Sequence, residues 1–486
     1  MTNVASLRSL TTLELENLNE QPGGGSPLFP TRANRLSVEN RLTHELLEAR
    51  ERVVVGRVTP ARDLAEFKQE LAQFDFSSPK ELTDVLTWTI KELERGLVHV
   101  THPRYFGLFN PSPTFPAQCA DRIAGAFNPQ LASSKTSPAA VEIENHVIHS
   151  FVKRMRLPSG ATGHFTSGGS EANFTALVCA LTYTDENYAT YGVRGLKGQP
   201  TFYVSRESHL AWIKIAHEAG IGRAAVRLIA TDGFGRMSVE ALRKAIEEDR
   251  ATGQVPVLIV ATAGTTGAGM IDPLAECSAI AKEQNLWCHA DAAWGGAVVV
   301  SDRLRSIVAG LELADSVTID AHKWLATTMG CGMFLTRHSS VLTAAFDVSN
   351  SYMPSYIPSS DPYLMSAQWS RRFMGLRLSL SLAASGWAGF AEHVEHSVAL
   401  AAYMRESLES KGWRVVNNSS LAVVCILPPR EDANVEMIVS RLLASGRVWV
   451  SVAAFEGKKI IRACVTNGET SRADADEFVQ SLEEAL

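Results

Sequence analysis

None of the seven cysteines, Cys119, Cys179, Cys277, Cys288, Cys331, Cys425 and Cys464, stands in a C-x-x-C pair, and their number is odd. That scatter argues against a disulfide framework and against a structural zinc site, and it fits a reducing compartment. No metal is therefore expected. Long apolar runs are missing too. The longest nearly uncharged stretch, Trp324 to Thr336, contains Gly330 and Gly332 and falls short of the roughly 20 residues that a bilayer-spanning helix needs. Met1 to Glu20 interrupts its apolar residues with Arg8, Glu14 and Glu16, and reads as neither a signal peptide nor an anchor. Basic charge is not in excess: the net charge of −6 predicts no nucleic-acid partner and no membrane surface. A soluble, cytoplasmic protein is the expectation these absences leave.

At 486 residues the chain exceeds what one core supports, so two or three domains are expected. Residues 1–98 read as an arm followed by a helical segment. The run Gln21-Pro22-Gly23-Gly24-Gly25-Ser26-Pro27 sustains neither helix nor strand, and Thr59-Pro60 and Ser78-Pro79 mark helix starts. Residues 99–360 alternate strand and helix. The strand candidates are Thr201–Val204, Val226–Ile229, Val257–Thr262, Leu286–His289, Val317–Ile319 and Met333–Thr336, with helices such as Met237–Glu248 and Leu274–Gln284 between most of them. That rhythm predicts an α/β domain with a mainly parallel sheet covered by helices. Residues 361–486 read as a smaller α+β domain: a helix over Ala384–Ser410, strands near Leu421–Leu427, Val448–Val452 and Ile460–Val465, and a closing helix from Arg472.

Four stretches carry chemistry, each at a strand end or a helix start. Val317 to Ile319 is a buried-strand pattern ending in Asp320, and directly beyond it stand His322, Lys323 and Trp324. A lysine partly shielded from water at a strand end can be a nucleophile, although most such lysines are simply solvated. In Phe165-Thr166-Ser167-Gly168-Gly169-Ser170-Glu171-Ala172-Asn173, two glycines and Ser170 open a helix whose N-terminus could hold a phosphate; an ordinary helix start is the plain alternative. The stretch lacks the Lys-Ser/Thr ending of a P-loop and the spacing of a dinucleotide fingerprint. Asp291 ends the apolar run Leu286 to Ala290, where it is either a turn residue or the carboxylate that meets a buried cation such as a protonated pyridine. His209 follows the strand Thr201–Val204, where an imidazole could lie on an aromatic ring or move a proton. Together, a phosphate cradle, a stacking histidine, a ring-directed aspartate and an amine form the set that pyridoxal 5'-phosphate (PLP) requires.

With these residues in that order, the chain resembles the group II PLP-dependent amino-acid decarboxylases, the family of aromatic-L-amino-acid and glutamate decarboxylases, from about His102 to Asp476. The most specific pieces are His102-Pro103-Arg104-Tyr105-Phe106, the Ser167–Asn173 run, His289-x-Asp291-Ala292-Ala293-Trp294-Gly295-Gly296 and Asp320-x-His322-Lys323-Trp324. Gly264-Thr265-Thr266 and Arg371-Arg372-Phe373 are lesser matches. The resemblance implies the aspartate-aminotransferase-like fold of type I PLP enzymes, with a seven-stranded sheet, and a homodimer with active sites at the subunit interface. It implies decarboxylation of an L-amino acid to its amine and CO2, with Lys323 carrying the cofactor as a Schiff base, Asp291 at the ring nitrogen and His209 stacked on the ring. Gly168, Gly169, Ser170, Asp320 and His322 would hold the phosphate, with Thr265 and Ala293 beside the cofactor. Tyr352 matches the loop tyrosine that returns a proton to the substrate, with Tyr356 as second choice. Arg462 could bind a substrate carboxylate, and Tyr105, Phe106 and Phe109 would line the substrate pocket. The same scaffold also serves aldehyde synthases that react with oxygen, other carbon–carbon lyases and aminotransferases, and non-catalytic binding proteins. The loop tyrosine and His209 speak against the first of these.

Overall fold

The computed structural model describes residues 28–348 and 361–486. The chain divides into two compact units, residues 1–99 and 100–486. The first holds the helices Arg32–Val55, Leu64–Leu71 and Leu82–Gly96. Thr31 caps the first helix through Asn34 N, and Asp63 caps the second through Ala65 N and Glu66 N, so that helix starts four residues after Pro60 rather than at it. Its helices bury almost nothing apolar, Ala49 being the one buried hydrophobic residue in them. Arg62 is instead ringed by Glu66, Glu70 and Glu92.

The second unit is built on a seven-stranded sheet, β1 Thr162–Thr166, β2 Pro200–Ser205, β3 Val226–Ile229, β4 Val255–Thr262, β5 Trp287–Asp291, β6 Ser316–Asp320 and β7 Gly332–Thr336, in the order β1-β7-β6-β5-β4-β2-β3. β7 runs against its neighbours and the other six strands run one way. This is the mainly parallel sheet of the type I α/β fold. β5 and β6 are buried at every residue, and β4 at all but Val255, as expected of strands covered on both faces. Six of the strands lie where continuous β-branched and aromatic runs predict them. β1 lies outside those predictions because Gly163 and His164 interrupt its apolar pattern. Gly163 is required there, since a Cβ would meet Phe334 O of β7 at 2.1 Å.

A second sheet, wholly antiparallel, follows residue 360: β8 Arg414–Val415, β9 Val423–Leu427, β10 Ser451–Phe455 and β11 Lys458–Cys464, in the order β10-β11-β9-β8. One apolar cluster runs through both sheets, from Phe106 to Ala485. The long helix Gly375–Ser410 starts nine residues earlier than its sequence suggests and is broken at Gly386, whose φ of 62° is non-helical. Among the described residues no helix is long and apolar enough to cross a membrane, and no cluster of His, Cys, Asp and Glu is placed to hold a metal.

Because β2, β4, β5 and β6 are parallel, their C-terminal ends share one edge, which is where α/β sheets open a crevice. The register sets Thr262, Asp291 and Thr318 in one row across β4, β5 and β6.

Candidate active site

That crevice is a cavity of about 350 Å³, toward the small end of small-molecule pockets. Its lining includes Gly168, Gly169, Ser170, His209, Asp291, Ala293, Asp320, His322 and Lys323, so residues far apart in sequence converge on it. Thr265 does not. Its hydroxyl accepts Met270 N at 3.0 Å inside its own turn, and it is the adjacent Thr266 that reaches the cavity wall. Asn173, Thr262 and Trp294 line it as well. Trp294 belongs to a motif already noted; Asn173 stands in another with no role that its local sequence signals.

Lys323 follows β6 in a tight turn. Its backbone N–H donates to Asp320 O at 3.1 Å, Ala326 N donates back to Lys323 O at 2.9 Å, and Ala326 takes φ 50°. The lysine Nζ lies 3.1 Å from Asp320 Oδ2, and His322 Nε2 lies 3.9 Å from the same oxygen. A left-handed alanine is tolerable, whereas a β-branched residue is a true outlier there. Ala326→Val is therefore expected to destabilise the protein by about 2 kcal/mol or more and Ala326→Gly to stay within about 1 kcal/mol, read from the urea midpoint of PLP-free protein.

The cradle for an anion forms where β1 meets the helix Gly169–Thr184. Asp320 closes against it: a Cβ on Gly169 would stand 2.8 Å from Asp320 Oδ2, and one on Gly168 would stand 3.3 Å from His322 Cε1. Two glycines are what keeps this corner open next to a helix N-terminus. Glu171 in the first turn is engaged by Ser167 and by Gln368 Nε2 at 2.7 Å.

Asp291 is buried, with Oδ2 accepting Asn173 Nδ2 at 2.8 Å and Oδ1 facing Ala293 N at 3.3 Å. His209 is exposed, with Nδ1 accepting Ala211 N at 3.1 Å, which leaves its ring faces open.

The four residues expected to meet substrate are placed differently. None of Tyr105, Phe106, Phe109 and Arg462 lines the cavity, and all four are buried. Phe106 packs on Phe478 with ring centroids 5.0 Å apart, and its backbone pairs with Trp449 O and Cys464 N. Tyr105 stacks on Trp449 at 5.2 Å. Phe109 stacks on Trp294 at 4.2 Å, behind the cavity wall. Arg462 donates to Ser451 Oγ at 3.1 Å, Thr266 O at 2.6 Å and Gly107 O at 3.4 Å, so each guanidinium nitrogen already has an acceptor. Its partners belong to a wider clamp. Five carbonyls of the turn after β4 are held by side chains: Gly264 O by Trp294, Thr266 O by Arg462, Gly267 O by Cys425, Ala268 O by Asn417 and Gly269 O by Ser419. Arg405 in turn grips Asn417 O, Ser419 O and Val423 O. Tyr352 and Tyr356 lie outside the described residues.

This geometry, a glycine-lined anion cradle, a buried carboxylate and an amine sharing one cavity, fits PLP. The comparisons agree. Residues 67–427 match the pyridoxal-dependent decarboxylase conserved domain. The aromatic-L-amino-acid decarboxylase of Bacillus atrophaeus is 30% identical over 424 residues, covering 84% of this chain and 85% of that protein. Mouse CSAD superposes with a TM-score of 0.88 at 25% identity over 94% of this chain and 99% of that one. Rhodiola rosea 4-hydroxyphenylacetaldehyde synthase shares the fold, with a TM-score of 0.84 at 23% identity over 93% and 98%. The chain belongs to the pyridoxal-dependent decarboxylases, lyases whose cofactor is PLP.

Proposed function

We propose that the chain converts an L-amino acid to its amine and CO2, with Lys323 as the covalent anchor of the cofactor. The observation that carries this is the convergence of Lys323, Asp291 and the Gly168–Ser170 cradle in one cavity at the strand ends. Gly168, Gly169, Ser170 and His322 would hold the phosphate. Asp320, as a carboxylate 3.1 Å from the amine, orients Lys323 rather than binding an anion. Asp291 would offer a fixed negative acceptor to the ring nitrogen, and His209 would cover the ring face. When bound, PLP supplies the electron sink for the pair left at Cα as CO2 departs. Tyr352, carried over from the matching loop, would return the proton to Cα. Trp294 and the turn clamped behind it exclude water from one wall.

The substrate we infer carries no second carboxylate. Arg462 is committed to backbone and serine oxygens, and the segment 349–360 contains no Lys or Arg. A homodimer is part of the same reading. On the helix Phe115–Phe127, Phe115 is 71% exposed and Phe127 81% exposed, an apolar face suited to a second copy of this chain. Light scattering is expected to give twice the chain mass.

The test is incubation of the PLP-loaded protein with single L-amino acids while amine, CO2, ammonia and peroxide are followed. Amine and CO2 in equal amounts without peroxide support decarboxylation. Peroxide and ammonia with aldehyde would support instead an oxygen-consuming aldehyde synthesis; the Rhodiola protein that shares the fold is named an aldehyde synthase. Turnover of aspartate or glutamate alone would overturn the substrate inference.

A further inference from the structure

Behind Asp291 lies a file of buried polar groups that the decarboxylation scheme leaves unused. Trp287 Nε1 donates to Ser316 Oγ at 2.8 Å, and Ser316 Oγ lies 2.8 Å from His289 Nδ1. His289 Nε2 lies 3.1 Å from Asn173 Oδ1, Thr318 Oγ1 donates to that same oxygen at 2.8 Å, and Asn173 Nδ2 donates to Asp291 Oδ2 at 2.8 Å. Trp287, Ser316, His289, Thr318, Asn173 and Asp291 are each no more than 5% exposed.

The direction of the file follows from its ends. An indole N–H can only donate, and an ionised carboxylate can only accept. Ser316 accepts from the indole and keeps both its proton and a second lone pair, so it can meet His289 Nδ1 in either state and the far nitrogen decides the tautomer. A proton on Nε2 is aimed at Asn173 Oδ1, with Thr318 Oγ1 3.2 Å from the same nitrogen. The other tautomer would set two acceptors, Nε2 and Oδ1, against each other at 3.1 Å. Burial holds His289 neutral by lowering its pKa to about 4, so it cannot act as a cation. Asn173 is thus locked by two donors on its oxygen, with its amide N–H turned on Asp291.

We propose that Asn173, and His289 and Thr318 through it, are positioning residues that hold the Asp291 carboxylate in one orientation as an ionised acceptor for the cofactor's ring nitrogen. Buried, fully satisfied hydrogen-bond chains rigidify what they end on, and partners behind a ligating group set its geometry. The inference rests on the reading of Asp291 given above.

The test measures PLP affinity of the PLP-free protein, by titration of the protein's absorbance and fluorescence, rather than turnover. Asn173→Ala is expected to weaken binding roughly ten- to a hundredfold, the range for a lost hydrogen bond to a charged group. His289→Phe fills the site but removes the N–H, and is expected to weaken binding roughly tenfold. His289→Gln, which can still present an N–H to Asn173, is expected to stay within about threefold. Recovery in the glutamine variant and not in the phenylalanine variant marks the donated proton, since a purely structural site would favour the aromatic ring. If either of the larger changes prevents folding, the near-isosteric Thr318→Val decides, with an expected loss of roughly threefold. Wild-type affinity in folded Asn173→Ala or Thr318→Val, or equal affinity in the two His289 variants, overturns the proposal. Asp291→Asn separates the failures: if it too binds PLP normally, the reading of Asp291 falls; if it alone loses affinity, only the file behind it falls.

Discussion

Lys323→Ala is expected to abolish amine formation, by about 10⁶-fold, the scale on which enzymes slow when a covalent group is removed. The near-visible absorbance band of the PLP-loaded protein should vanish with it. The same substitution has a second effect that needs no cofactor. Asp320 is 3% exposed, its Oδ1 has no hydrogen-bond partner among the described residues, and its Oδ2 stands 3.1 Å from Lys323 Nζ. Removing one member of such a pair strands a buried charge, at a cost of about 3–5 kcal/mol when both partners are dry. The lysine side chain is 24% exposed, so water screens part of this, and about 2 kcal/mol is the expected loss of stability in PLP-free Lys323→Ala. Adding Asp320→Asn should restore stability, because a neutral amide no longer needs the cation, and should restore no activity. A single variant as stable as the wild type would show that the pair contributes nothing to the fold. A double variant that makes amine would remove Lys323 from the chemistry.

The two roles of Lys323 differ in how far the sequence discloses them. Its place beyond a strand is legible because Val317 to Ile319 is a continuous apolar run, and the same holds for Asp291 after Leu286 to Ala290. Parallel strands then bring their ends to one edge without further information. Asp320 as the amine's partner is not legible, since the i to i+3 contact depends on the turn that Ala326 closes in a left-handed conformation. Asn173 is similar. It sits inside a motif that was read for its glycines, while its partners His289, Thr318 and Asp291 are more than 100 residues away. Thr265 and Thr266 show a finer limit. Adjacent threonines in a turn point to different sides, and the side chosen is set by the hydrogen bond that Thr265 Oγ1 makes to Met270 N. Tyr105, Phe106 and Phe109 are aromatic in a stretch that matches a pocket, yet each is buried against another ring. Aromatic residues bury as readily in a core as in a pocket wall, and composition does not separate the two.

Arg462 separates those readings by experiment. Were it the ligand of a substrate carboxylate, Arg462→Met would leave the PLP-free fold intact and raise KM only for amino acids with a second carboxylate. The structure commits it elsewhere. Its nitrogens hold Ser451 Oγ, Thr266 O and Gly107 O, and its guanidinium carbon lies 5.5 Å from the centre of the Phe109 ring. Methionine keeps most of the volume and none of the donors. Three lost hydrogen bonds at about 1 kcal/mol each, with a cation–π contact of similar size, give an expected destabilisation of about 4 kcal/mol. The urea midpoint of the PLP-free protein should fall accordingly. Catalysis should suffer through geometry: Thr266 and Gly264 line the cavity, and releasing one carbonyl of the clamped turn lets that wall move. A misplacement of about 1 Å near a reacting centre costs up to about 10²-fold, so kcat should drop by roughly tenfold, and by a common factor for every amino acid that is turned over. Asn417→Ala, which frees Ala268 O on the same turn without touching Arg462, should reproduce the common factor on a smaller scale. A substrate-dependent KM effect with an unchanged urea midpoint would return Arg462 to the substrate. A common kcat effect in both variants identifies the turn after β4 as the route by which the antiparallel sheet governs the cavity.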